Sequence, residues 1–151
     1  MTTSIRYRDR ATKEFYMKKG KIYTSHAPEN PPEWYWKSGL HDARIIKVEA
    51  LEFPIDYSKM GRGREKQYRN MLSFKIDSSN ALFDRDVKEI RFYNYTIISK
   101  EISFDDMNAI WWMSDTLINE SGKYFLKIDM LDSSEDFTFT IKFEAAEVER
   151  K

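Results

Sequence analysis

Between Phe137 and Glu144 every second residue is large and apolar: Phe137, Phe139, Ile141 and Phe143 alternate with Thr138, Thr140, Lys142 and Glu144. An extended chain points successive side chains to opposite faces, so this segment reads as a strand with one buried, aromatic face. The same period predicts a half-buried strand over Arg69 to Asp77, with Leu72, Phe74 and Ile76 on one side and Ser73, Lys75 and Asp77 on the other. A further strand is expected from Val87 to about Ile98, with Ile90 and Phe92 in phase and Tyr93, Tyr95 and Ile97 on the opposite face. Arg44 to Phe53 is also strand-like, but Ile46 and Val48 fall on one parity and Leu51 and Phe53 on the other. A β-bulge near Glu49 and Ala50 would absorb that slip.

Turn chemistry sets the order of the remaining elements. Glu120-Ser121-Gly122-Lys123 is a turn signal before Tyr124 to Leu131, and Asp132 to Asp136 is a second one before the Phe137 strand. Trp111 to Asn119 is compatible with either a strand or a helix on its own, but three runs joined by two short turns suggest a meander. Ser103 followed by Asp106 is a capping pattern that predicts one short helix over 104–110. Residues 5–24 read as a hairpin, and Pro28, Pro31 and Pro32 make the next segment a loop, because proline lacks a backbone donor and restricts its predecessor. The expected fold is mainly β, α+β at most: an antiparallel meander curling into a barrel or half-barrel with one short helix. A single domain spans 1–151, with an N-terminal hairpin and Pro-rich loop over 1–35 and a core sheet over 36–148.

Composition narrows the class. With 151 residues, 41% hydrophobic and 15% aromatic, the chain can build one sizeable core but not two. It has no cysteine, which excludes disulfides, thiolate metal sites and thiol nucleophiles and fits a reducing compartment. The amino terminus is charged where a secretory signal needs an apolar run of about 7 to 15 residues, so a cytoplasmic protein with no membrane span is expected. Net charge is zero, with 25 basic and 25 acidic side chains, which argues against a general polyanion binder. The balance hides an asymmetry: residues 1–75 hold 16 Lys/Arg against 9 Asp/Glu, and 76–151 hold the reverse. The surface is dipolar only if the fold keeps the two halves apart.

Candidate chemistry is sparse. His41-Asp42 pairs the side chain that titrates nearest neutral pH with a carboxylate, but neighbours on an extended chain diverge, so no dyad is expected from the pair alone. The simpler expectation is that Asp42 turns or caps the backbone and His41 bonds locally. Two histidines without a His-x-His or His-Glu-x-x-His spacing predict no metal site, and nothing implies a cofactor. The loop Lys59 to Arg69, with Arg62 and Arg64 beside glycines, could contact phosphates or an acidic protein; it lacks the Lys-Ser/Thr of a phosphate-binding loop, so nucleic acid is the less favoured partner. Trp34-Tyr35-Trp36 and Trp111-Trp112 are tandem aromatics that cannot all face one core from one strand, which makes Trp34, Trp36 and Trp112 candidates for core, interface or ligand groove.

The order of several short motifs adds a further expectation. Leu40-His41-Asp42-Ala43-x-Ile45, then Ile90-x-Phe92-x-Asn94, then Trp111-Trp112 and two closing strands, resembles that of small, largely uncharacterised bacterial β-rich proteins, including some classed as immunity proteins of polymorphic toxin systems. The resemblance covers about Trp36 to Val148. It implies a domain that acts by binding, with no catalytic residue carried over and a charged or aromatic patch for its partner, for which Arg62, Arg64, Trp34 and Trp36 qualify by residue type. The leading expectation is therefore a non-enzymatic protein-interaction domain, an immunity-type inhibitor in particular. One alternative is a small-ligand binding protein or enzyme with an aromatic-lined cavity at His41; another is nucleic-acid binding through 59–69. Oligomeric state is not legible.

Overall fold

The computed structural model describes residues 23–37, 39–54, 68–99, 110–132 and 135–151. They form eight strands: β1 (Ala43–Glu52), β2 (Asn70–Asp77), β3 (Val87–Tyr93), β4 (Thr96–Ile97), β5 (Ile110–Glu120), β6 (Lys123–Leu131), β7 (Asp136–Phe143) and β8 (Ala145–Arg150). All belong to one antiparallel sheet in the order β4-β7-β6-β5-β1-β2-β3-β8. Two meanders, β1-β2-β3 and β5-β6-β7, are joined by a short seam in which Ala43, Arg44 and Ile45 pair with Trp112, Trp111 and Ile110.

The outermost strands of this order are continuations of interior ones. Tyr93 pairs with Ala145 on the β3–β8 side, and three residues later Thr96 pairs with Lys142 on the β4–β7 side. One antiparallel ladder thus passes through both corners, Asn94-Tyr95 and Glu144, and the sheet curls back on itself. Asn94 takes a positive φ of 52° at its corner, a conformation asparagine tolerates better than most residues. Asn70 fixes the same corner, accepting the Tyr95 N–H at 2.8 Å and donating to the Tyr95 carbonyl at 3.1 Å.

The concave face holds the core. Leu72, Phe74, Ile90, Phe92, Leu126, Ile128, Phe139, Ile141 and Phe143 are all buried there, as the two-residue period requires. Phe74, Phe92, Phe139 and Phe143 form a chain of tilted or edge-on rings with centroids 4.9 to 5.7 Å apart. The loop 33–42 packs into this core with Tyr35, Trp36 and Leu40. Gly39 is required there: a Cβ would lie 2.8 Å from Asp84 Cβ and 2.9 Å from the Trp36 carbonyl, where its own carbonyl accepts the N–H groups of Phe83 and Asp84.

Several expectations change. The bulge in β1 lies between Ile45 and Lys47, not at Glu49 and Ala50, and Ile46 is the extra residue, 52% exposed. Trp111 to Asn119 is strand, because β5 is hydrogen-bonded to β6 over its whole length. No helix occurs among the described residues; 104–109 of the expected helix lie outside them, and Ile110 is the first residue of β5. The expected N-terminal hairpin also falls outside them up to residue 22. Beyond it, His26 forms a parallel bridge to Thr116 and exchanges backbone bonds with Asp115 and Leu117, covering the β5 edge that β1 leaves open. The two charge halves interleave, since β1 and β2 sit between β5 and β3, and pairs such as Arg44–Asp77 and Lys75–Glu89 cross the divide.

Candidate interaction surface

A bulge in β5 between Trp112 and Ser114 reverses the pleat, so that Ser114 faces outward to Asp129 and Asp115 faces the core. Asp115 is only 1% exposed. Three donors converge on it: the Tyr35 hydroxyl, the Trp36 indole N–H at 2.7 Å and the Trp112 indole N–H at 2.8 Å. Burial pushes its carboxyl above the ordinary value, and the three donors hold it down without cancelling the effect. With two donors from the 33–42 loop and the third from β5 itself, this carboxylate ties the loop to the sheet.

His41 and Asp42 are buried beside the seam. Asp42 has φ of 72°, so the chain is not extended at the pair and the two side chains converge: His41 Nε2 lies 3.6 Å from Asp42 Oδ1. The expected divergence of the side chains is thereby corrected, for the backbone reason that a left-handed residue folds the chain. The turn at Asp42 is as expected, but the His41 bond is not local. Its Nδ1 donates to the carbonyl of Met113, and the Asp42 N–H donates to the Trp112 carbonyl at 2.8 Å. Both residues lock the loop onto β5.

The aromatic candidates divide. Trp36 and Trp112 are buried, with rings 5.1 Å apart and edge-on. Trp34 is half-buried and closes the core over Tyr124 and Phe143 at 5.4 and 5.8 Å. These placements put Trp36 and Trp112 in the core and not on a partner-facing surface. Arg62 and Arg64 lie outside the described residues, as does the basic loop up to residue 67. Among the described residues no helix is long and apolar enough to cross a membrane, and no group of three or more potential metal ligands occurs.

The two outer faces of the sheet differ in kind. On β2-β3-β8, Arg91 binds Glu89 at 2.9 Å, Glu147 at 2.6 Å and Glu149; Lys75 meets Glu89 at 3.1 Å, and Lys88 meets Glu149 at 2.9 Å. Desolvation raises the Glu89 pKa, but the bonds from Ser73, Lys75 and Arg91 and the charge of Arg91 outweigh it, so the net shift is downward. That face is satisfied by its own ions. On β5-β6-β7, the outward residues Thr116, Ile118, Glu120, Phe125, Lys127 and Thr140 line an open groove of about 340 Å³. Ile118 and Phe125 are cross-strand partners on its floor, and Ile118 is 49% exposed. Ile98, 52% exposed, sits beside Thr140, to whose carbonyl its N–H donates. Lys127 lines the groove and Lys142 stands opposite Phe125, and neither has a carboxylate partner among the described residues.

Sequence reasoning passes over this surface and Asp115. A signal for each exists: Ile118 and Phe125 are apolar on the parity opposite to Leu117 and Leu126, and Asp115 shares the inward parity of Leu117. Compared with known proteins, the chain matches no family model, no curated protein and no solved structure.

Proposed function

We propose that this protein acts without catalysis, by binding another protein through the outer face of β5-β6-β7, and that its particular role is that of an immunity-type inhibitor which occludes a toxin. The observation that supports it is the contrast between the two outer faces. Where β2-β3-β8 compensates its own charges, β5-β6-β7 leaves Ile118 and Phe125 in a groove flanked by two lysines with no carboxylate partner among the described residues. An apolar floor with a charged rim is the general anatomy of a protein-binding patch. The polar groups with chemical potential, His41, Asp42 and Asp115, are instead spent on holding the 33–42 loop, and His41 does not line the groove.

The test is affinity purification from the native cells with wild-type protein, Ile118→Asp and a control on the other face, Glu147→Gln. A partner retained by wild type and the control but lost by Ile118→Asp is expected. For the inhibitor role, that partner should arrest growth when expressed alone and be harmless when co-expressed. Retention of every partner by Ile118→Asp would refute the surface.

A further inference from the structure

On the reading that the β5-β6-β7 groove is the binding surface, we infer that its occupant is an acidic, apolar segment of a partner protein, with carboxylates opposite Lys127 and Lys142. The floor formed by Ile118 and Phe125 accepts apolar side chains, whose removal from water drives the contact. Lys127 and Lys142 lie on the β6 and β7 side of that floor, where a partner carboxylate would supply the charge that the described residues do not. By contrast Lys47, Lys75, Lys88 and Lys123 each meet a glutamate within 4 Å, at 3.7, 3.1, 2.9 and 3.0 Å. Glu120 marks the opposite end, at the β5–β6 turn, and gives the groove a polarity. The partner segment therefore places its acids away from that turn.

Charge decides against residues 1–22 as the occupant. Residues 1–22 carry Arg6, Arg8, Arg10, Lys13, Lys18, Lys19 and Lys21 against Asp9 and Glu14, the wrong sign for these lysines.

The probe is a fluorescein-labelled peptide that alternates leucine with glutamate, titrated into the full chain by anisotropy beside the same peptide with lysine for glutamate. The acidic peptide should bind, the basic one should not, and Lys127→Glu with Lys142→Glu should weaken binding by about tenfold, with less binding at high salt. Equal binding of the two peptides, or none by either, overturns the inference without any variant having to fold. Sedimentation that shows a dimer broken by Ile118→Asp overturns it by making a second copy the occupant. If the natural partner is lost by Ile118→Asp but kept by the double lysine variant, the groove stands and the acidic partner falls; if both variants keep it, both fall.

Discussion

Trp36 donates its indole N–H to Asp115 at 2.7 Å across 79 residues of sequence. Trp112 and Tyr35 donate to the same carboxylate, so a single side chain in β5 organises three aromatic donors, two from the 33–42 loop and one from its own strand. Asp115→Ala strands all three in a buried site and should lower stability by about 3 kcal/mol, at about 1 to 3 kcal/mol for each unsatisfied group with partial relaxation. Trp36→Phe removes one donor and leaves two on the carboxylate, so about 1 kcal/mol is expected. Urea unfolding followed by tryptophan fluorescence checks both, as a shift in midpoint at constant slope.

The pH dependence of stability carries two signatures of opposite sign. Asp115 has a folded pKa above its ordinary 3.8, so its contribution is full below that value and is lost as pH rises through the folded one. Glu89 has a folded pKa below its ordinary 4.5, so its contribution is present above 4.5 and is lost as pH falls through the depressed value. The stability of wild type relative to Asp115→Asn should therefore fall as pH rises from about 4, whereas that of wild type relative to Glu89→Gln should fall as pH drops. Urea midpoints across about pH 3 to 8 measure both.

The β5–β6 turn can be improved. Ser121 and Gly122 both have positive φ, 52° and 77°, the geometry of a type I′ hairpin turn, for which Asn-Gly is the favoured pair. Ser121→Asn should raise stability by about 0.5 kcal/mol, while Gly122→Ala should lower it by about 1 kcal/mol. No atom lies within 4 Å of a Cβ at Gly122, so the loss would be conformational and not steric. Thermal unfolding of the two variants reports the signs.

Arg91 is the hub of the outer charge ladder, and Arg91→Met leaves Glu89, Glu147 and Glu149 without their shared cation. Glu89 is buried and keeps only Lys75, at 3.1 Å, and Ser73, and losing a charge-assisted bond at a buried carboxylate costs more than losing an exposed pair. A loss of about 2 kcal/mol is expected, partly restored by salt that screens the remaining carboxylates from one another. The same variant should leave binding at the β5-β6-β7 groove unchanged, so its urea midpoint and its peptide affinity, measured side by side, separate the two faces.

Strands with strict alternation are legible in the sequence because one face of each meets the core. Leu72, Phe74 and Ile76 in β2 and Phe139, Ile141 and Phe143 in β7 are buried as their period requires. The displaced bulge in β1 shows where that logic fails. Leu51 looks like a marker of a buried face, yet it is 50% exposed, since the bulge at Ile46 sets Val48 and Ala50 opposite the buried Phe74 and Leu72 and leaves Leu51 on the outward face opposite Met71. The Trp36 bond to Asp115 and the His41–Met113 bond are illegible for a different reason: each joins residues more than 70 apart and depends on a bulge or a positive φ that no local pattern specifies. The groove escapes notice because apolar residues on an outward parity are common singly and acquire meaning only when Ile118 and Phe125 become neighbours.

The corners at Asn94-Tyr95 and Glu144 have a kinetic consequence. Each meander can form from hairpins whose ends are close in sequence, but the ladder through those corners joins residues 87–97 to 141–150, and the β1–β5 seam joins 43–45 to 110–112. Such distant pairings bear the loop-closure entropy that slows folding in proteins of high contact order. Contact order thus predicts a slow step where the two three-stranded halves must find each other, with Asp115 and the tryptophans positioned to secure the encounter once made.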